Sequence, residues 1–171
     1  MLTSYATAYD FAAVSLRYFN VGGAAFGRGE RHATETHLVP IALQVAAGKR
    51  PALTVFGDDY PTPDGTCIRD YVHVKDLADA HLRALPAPAP GEHRIYNLGN
   101  GTGFSVQEMV ETVREVTGHP LPVETGPRRA GDPARLVASS DRIKADLGWA
   151  PAHSSLAEIV RDAWEFSQPQ G

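Results

Sequence analysis

Two adjacent arginines stand in Pro127-Arg128-Arg129-Ala130-Gly131-Asp132-Pro133, bracketed by proline and glycine. Proline and glycine hold such a stretch as a loop rather than a solvated helix face. A guanidinium aimed inward from it would recognise phosphate oxygens in bidentate fashion, and Asp132 could accept hydrogen bonds from sugar hydroxyls. A solvated basic turn is the alternative. A further arginine, Arg69, stands beside Asp70 near the end of a long excursion over residues 56–74, where two prolines and two glycines separate short extended pieces. Long structured loops in compact domains usually carry function. A local ion pair is the plainer reading of Arg69 and Asp70. Two arginine sites could together clamp a pyrophosphate. Of the 16 basic residues, 13 are Arg and 3 are Lys. Composition bias accounts for most of that excess, so position along the chain must single out the functional ones.

Other candidate chemistry is less specific. Gly99-Asn-Gly101-Thr-Gly103 follows a strand and precedes a helix, the setting of a dinucleotide-binding turn. The fingerprint Gly-x-Gly-x-x-Gly would need glycine where Phe104 stands, so the stretch reads as a tight strand-to-helix turn. Cys67 and His73 lie on one face of an extended segment but too far apart to touch, and Cys67 reads as a buried structural thiol. The seven histidines show no metal spacing, and His81 reads as a core histidine on the apolar face of its helix. A lone cysteine makes neither an internal disulfide nor a cysteine-based zinc site, and points to a cytoplasmic location.

The elements that must position these residues alternate in type. Helices are expected over residues 2–12, 36–47, 76–85, 106–116, 140–147 and 156–164. Strands are expected at 14–18, 53–56, 68–74, 94–98 and 121–124, with a long glycine-rich loop from Asn20 to about Thr34. Ser105-Val-Gln-Glu108 and Ser155-Leu-Ala-Glu158 read as capping boxes. The first helix has no Ser, Asp or Asn cap. The alternation gives the α/β class. A chain of 171 residues with a net charge of −4 buries a core without staples and is a poor general nucleic-acid binder. Its apolar runs are too short to span a membrane, and residues 1–10 lack the features of a signal peptide.

In order along the chain, Leu16-Arg-Tyr-Phe-Asn-Val-Gly-Gly-Ala24, Glu35-Thr-His-Leu-Val-Pro40, residues 56–77, Ile95-Tyr-Asn-Leu-Gly99 and Pro127-Arg-Arg-Ala-Gly-Asp132 resemble a known family. They are similar to the C-terminal half of the bacterial UDP-glucose 4-epimerases, NAD-dependent enzymes of the extended short-chain dehydrogenase/reductase type. The resemblance covers essentially the whole chain, and the run YPTPDGT, RDYVHV and DLADAH is its most specific part. It implies the end of a Rossmann-type parallel sheet plus a smaller mixed α/β substrate-binding domain. Residues 1–34 are expected as the tail of the NAD-binding domain and 35–171 as the UDP-sugar-binding domain. Two family signatures go unmatched: the Gly-x-x-Gly-x-x-Gly loop that holds the NAD pyrophosphate, and the Tyr-x-x-x-Lys helix that carries the general base. Tyr5 does not substitute, since Tyr9 follows it four residues on. The chain is therefore expected to lack the N-terminal half and to be inactive alone.

What the resemblance implies for these residues is binding, with no catalytic residue and no metal. Tyr18 and Phe19 match the strand bordering the nicotinamide of NAD. Asn20 matches a residue that hydrogen-bonds the substrate. His37 and Leu38 fall on positions that contact the nucleotide sugar, although many members have Asn where His37 stands. Thr54, Val55 and Phe56 match the stretch that holds uracil. Arg69 and Arg129 match the two pyrophosphate-binding arginines, and Asp132 the residue on the ribose hydroxyls. Leu136 falls where the family lines the sugar pocket. The implied reaction interconverts UDP-glucose and UDP-galactose by hydride removal at C4, rotation of the 4-keto sugar and hydride return. The implied full-length enzyme is a homodimer. Two alternatives stay open: a non-catalytic UDP-sugar-binding fragment, and a related sugar-nucleotide epimerase or dehydratase.

Overall fold

Parallel strand pairs set the frame, and each needs a crossover that only a helix or long connection supplies. In the computed structural model, which describes residues 1–168, β1 (Ala13–Tyr18) pairs in parallel with β6 (His93–Leu98) along its whole length. β2 (Asn20–Gly22) pairs in parallel with β5 (Tyr71–His73), and α3 (Val74–Ala84) leaves β5 directly. β2 lies inside the stretch expected as loop. The Asn20 N–H donates to the Asp70 carbonyl at 2.9 Å, which starts the pairing. Val14, Leu16, Val21, Val72, Leu77, Tyr96 and Leu98 pack around Trp149, with Ile143 and Leu147 of α5 (Asp141–Leu147). The Trp149 indole N–H donates to the Asp76 carbonyl at 2.9 Å, and the buried Asp76 carboxylate accepts from the Ala152 and His153 N–H groups at 2.9 Å each.

A second core forms where α2 (Leu38–Ala46), α4 (Val106–Thr117) and α6 (Leu156–Ser167) meet β3 (Leu53–Phe56). The apolar residues spaced three and four apart in α4, namely Val106, Met109, Val110 and Val113, are all buried, as amphipathic periodicity requires. β3 pairs in parallel with β8 (Val123–Gly126). That strand begins two residues later than expected, because Leu121 turns into the core instead. Three two-residue strands complete the sheets: β4 (Ile68–Arg69) lies between β7 (Phe104–Ser105) and β9 (Arg135–Leu136). The core around Trp149 joins residues before position 34 to residues far beyond it, so the expected division at 34/35 is not a boundary between cores.

Several local expectations are corrected. α1 (Leu2–Tyr9) stops earlier than residue 12, because Asp10 takes a left-handed conformation and donates its N–H to the Ala6 carbonyl. Ser105 and Glu108 form a full capping box. Ser155 accepts from the Glu158 N–H at 3.4 Å, but the Glu158 carboxylate sits 2.6 Å from His153 Nδ1, so that box is half made. His81 is exposed rather than in a core, and its ring reaches Tyr18 Oη at 2.7 Å and the Leu77 carbonyl at 2.7 Å. Cys67 is half-buried.

His73, fully buried, caps α3: its Nδ1 accepts from the Lys75 N–H at 3.0 Å. Nε2 therefore carries the proton and faces Asp162 at 3.2 Å. Gly23 leaves room for this ring, since a Cβ there would lie 2.4 Å from Nε2. Burial pushes the imidazole pKa below its ordinary value, against the pull of Asp162, while Lys75 and His153 push the same way as burial. The unfolded chain takes up a proton below the ordinary value of 6.5 that folded His73 resists. Stability is thus full above that pH and falls as pH drops through it. Urea midpoints are expected to decline between about pH 7 and pH 5, and His73→Gln, which keeps both hydrogen-bonding roles, to flatten that part of the profile.

Candidate functional site

The chain leaving β8 gathers residues that are far apart in sequence. Phe56 is paired with Gly126 at the end of β3, and the Gly57 N–H donates to the Gly126 carbonyl at 2.9 Å. Arg128 then stacks on the Tyr60 ring at 4.3 Å and bonds Asp59. Arg129 lies with its guanidinium carbon 4.0 Å from the centre of the Phe56 ring. Such a cation–π contact at an exposed site is worth about 0.5–1 kcal/mol. Among the described residues Arg129 has no carboxylate partner. A turn follows, in which the Asp132 N–H donates to the Arg129 carbonyl at 3.2 Å.

The Asp132 carboxylate pairs with Arg69, which also donates to the Pro133 carbonyl at 2.9 Å. Ile68 donates to the Ala134 carbonyl at 2.8 Å, and Arg69 stands opposite Leu136 across β4 and β9. One loop, residues 126–136, thereby holds Phe56, Arg69, Arg129, Asp132 and Leu136 together. The half-buried Cys67 thiol feels all three charges. Burial raises its pKa, Arg69 and Arg129 oppose that, and Asp132 reinforces it.

The local ion pair between Arg69 and Asp70 does not form. Neighbours on an extended backbone face opposite ways: Arg69 turns to Asp132, and Asp70 turns inward and is fully buried. There its carboxylate accepts three backbone N–H bonds, from Asn100 at 2.6 Å, Gly101 at 2.9 Å and Ala138 at 3.0 Å. Gly99 permits the approach, because a Cβ there would lie 2.5 Å from an Asp70 oxygen and 2.5 Å from the Ala138 Cβ. The glycine-rich turn is thus an internal carboxylate nest. Three of its amides are taken, those of Asn100 and Gly101 by Asp70 and that of Gly99 by Ser140 Oγ at 3.2 Å, and a buried carboxylate fills the nest, so it does not fit an NAD pyrophosphate.

Asn20 joins the arginine site through its side-chain amide, which donates to the Asp70 carbonyl at 3.1 Å. Thr54 is exposed, while Val55 is buried and its backbone groups lie on the β8 side of the ladder, so the free edge of β3 is presented by Thr54 and Phe56. Tyr18 is half-exposed at the carboxyl end of β1 with Phe19 beside it. That is the end of a parallel strand where ligands bind in α/β sheets. Leu38 packs against the helical core, and exposed His37 sits at the N-cap of α2. Among the described residues no hydrogen bond joins Tyr18, Phe19, His37 or Leu38 to the loop at 126–136.

The spacing Tyr-x-x-x-Lys does occur once, at Tyr71 and Lys75. It is not a helical pair: Tyr71 ends in the core on β5 with its phenol pKa raised by burial, and Lys75 is bonded to Asp162 at 2.8 Å. The sequence reading missed Asp70 as an organiser, and it missed Glu30, His32 and Glu35, which gather around His37. Their spacing, Glu-x-His-x-x-Glu-x-His, was the available signal.

The pattern of the NAD-dependent epimerase/dehydratase family matches residues 1–99. The UDP-glucose 4-epimerase of Corynebacterium glutamicum is 58% identical over 170 residues, covering 99% of this chain and 52% of that protein. A solved UDP-glucose 4-epimerase superposes with a TM-score of 0.91 at 53% identity, over 97% of this chain and 51% of that one. The enzyme from Bifidobacterium longum, solved with NAD+ and UDP, gives a TM-score of 0.88 at 35% identity, over 95% of this chain and 49% of its own. The chain spans about half the length of the curated relatives it matches.

Removing the Asp70 carboxylate would orphan three backbone N–H groups, the buried one of Ala138 and the part-buried ones of Asn100 and Gly101. Asp70→Ala is expected to lower unfolding stability by about 3 kcal/mol or more, and Gly99→Ala by about 1–3 kcal/mol through overpacking, both read from urea transitions.

Proposed function

The chain belongs to the NAD-dependent epimerase/dehydratase family, and from that premise we propose that it supplies the UDP-sugar-holding side of a UDP-glucose 4-epimerase. The whole enzyme would interconvert UDP-glucose and UDP-galactose through a transient 4-keto sugar. The observation that carries this reading is the loop at 126–136, which unites two arginines, a carboxylate and an aromatic ring beside an open strand edge.

The proposed roles follow from those contacts. β3 is paired on one side by β8, which takes up the backbone groups of Leu53, Val55 and Gly57, so its other edge offers those of Thr54 and Phe56 to a uracil, with Val55 holding the spacing between them. Arg69 and Arg129 neutralise the pyrophosphate, where planar forks outperform ammonium groups. Asp132 holds Arg69 in place and accepts from ribose hydroxyls. Leu136, 47% exposed, lines the hexose side with Asn20, His37 and Leu38. NAD, when bound, supplies hydride removal and return, and Tyr18 and Phe19 would border its nicotinamide.

The sugar must turn over during the reaction, so binding energy belongs on the nucleotide rather than the hexose. The distribution of charged groups here has that bias. By role, residues 1–34 end the NAD-binding domain and 35–171 form the UDP-sugar side. We also place the whole enzyme in the cytoplasm as a homodimer, with exposed Leu2, Tyr5, Tyr9 and Phe11 calling for a covering surface. No described helix is long and apolar enough to cross a membrane.

Calorimetry with UDP tests the reading. The chain is expected to bind UDP, and Arg129→Ala to weaken binding about tenfold or more, the loss of one charge-assisted contact of roughly 1.4 kcal/mol. Unchanged affinity would remove Arg129 from the clamp. The 171-residue chain is expected not to turn over UDP-galactose, since the proposal assigns it no general base.

A further inference from the structure

Away from the arginine loop, four side chains of opposite chemistry converge on one point. The donor atoms of Glu30, His32, Glu35 and His37 all lie within 4.8 Å of one another. Both imidazoles turn the same nitrogen to the same carboxylate oxygen: His32 Nδ1 is 2.6 Å and His37 Nδ1 2.7 Å from Glu30 Oε1. Glu35 lies across from it, 2.9 Å from His37 Nδ1 and 3.8 Å from His32 Nδ1. Two carboxylates leave two negative charges that neutral imidazoles do not cancel.

The cluster is anchored from several sides. Gly29 lies against Phe166 of α6 so closely that a Cβ there would meet the ring at 2.4 Å, and Arg31 stacks on the same ring at 4.7 Å. Glu35 is almost wholly buried and accepts from the Thr36 and His37 N–H groups at 2.8 Å each. His37 itself begins α2. The residues on both sides of the donors are therefore fixed before any ligand arrives. A cavity of about 660 Å³, lined in part by Glu30, His32 and Glu35, opens beside them and gives an entry path.

We propose that Glu30, His32, Glu35 and His37 form a divalent transition-metal site whose preferred ion is zinc. Two imidazole nitrogens and two carboxylate oxygens make a donor set that suits zinc, and four donors make its tetrahedral shell. Ligands at zinc–nitrogen and zinc–oxygen lengths stand roughly 3.3 Å from one another in a tetrahedron. The contacts of 2.6, 2.7, 2.9 and 3.8 Å bracket that value, so small rotamer changes admit the ion. For Nδ1 to ligate, each neutral imidazole carries its single proton on Nε2, so zinc entry exchanges the imidazole–carboxylate hydrogen bonds for metal bonds by a change of tautomer. The proposal stands on this cluster and not on the UDP-sugar reading, although the two share His37.

Zinc chloride is titrated into the 171-residue chain by calorimetry in the absence of nucleotide, with cobalt chloride as a spectroscopic probe. One equivalent of zinc is expected to bind, and cobalt to show the intense visible band of tetrahedral coordination. Glu30→Gln and His32→Ala should each weaken zinc at least about tenfold, since losing even an outer-shell partner costs about that much. His119→Ala, at a residue that is not one of the four donors, should not. X-ray absorption on the unaltered protein's zinc complex should report two imidazole ligands within a four-coordinate nitrogen and oxygen shell, a result independent of whether the variants fold. Absence of zinc binding, affinity in both variants unchanged from that of the unaltered protein, or a six-oxygen shell would overturn the proposal.

Discussion

The buried carboxylate of Asp70 organises the molecule around the arginine site. An ionised carboxylate in a core is tolerable only when its oxygens are filled, and here three backbone N–H groups fill them. Two belong to the turn after β6 and the third to the segment between β9 and α5. The Asp70 carbonyl meanwhile receives the Asn20 backbone and side chain. One residue thus ties β2, the end of β6 and the segment after β9 to the junction of β4 and β5. Because Asp70 faces inward, Arg69 must face outward, and the direction of the guanidinium follows from the burial of its neighbour.

A chain of dependent contacts extends from there. Arg69 is held by Asp132 and Pro133, which set where the loop at 126–136 crosses β4. That crossing brings Arg129 over Phe56 at the end of β3. At the base of the excursion before Arg69, Asp64 accepts from Thr66 and Ser105. Burial alone would raise the Asp64 pKa, and those hydrogen bonds outweigh it and hold the carboxyl below its ordinary value. The excursion is therefore pinned to the start of α4 by a group that stays ionised. Rigid support beneath the charges is what nucleotide anchoring requires if the sugar is to turn while the diphosphate stays.

The legible parts of the sequence were those governed by local rules. The apolar spacing of α4 and α6 and the Ser105 box specify helices whatever surrounds them, and the short β1 pattern specifies a strand. The two-residue strands β4, β7 and β9 have no periodicity, and exist because distant partners meet them. The roles proposed for Arg69 and Arg129 rest on resemblance, while their convergence through Asp132 and Phe56 needs the fold. The spacing of the glycines at residues 99–103 specifies a tight turn, and the structure has one. What it wraps lies some thirty residues away, and no local pattern points to it. Glu158 was assigned to a capping box, but His153 competes for its carboxylate. The alternative reading of Arg69 and Asp70 as a local ion pair fails because adjacency on a strand separates side chains rather than joining them.

Amide chemical-shift mapping with UDP tests the central claim most directly, because it separates the arginine loop from the glycine-rich turn in one spectrum. Binding at the proposed site should shift the amides of Thr54, Val55, Phe56, Arg69, Arg129 and Asp132, and leave Asn100 and Gly101 in place on Asp70. Shifts confined to residues 99–103, with Thr54, Arg69 and Arg129 unmoved, would contradict the account.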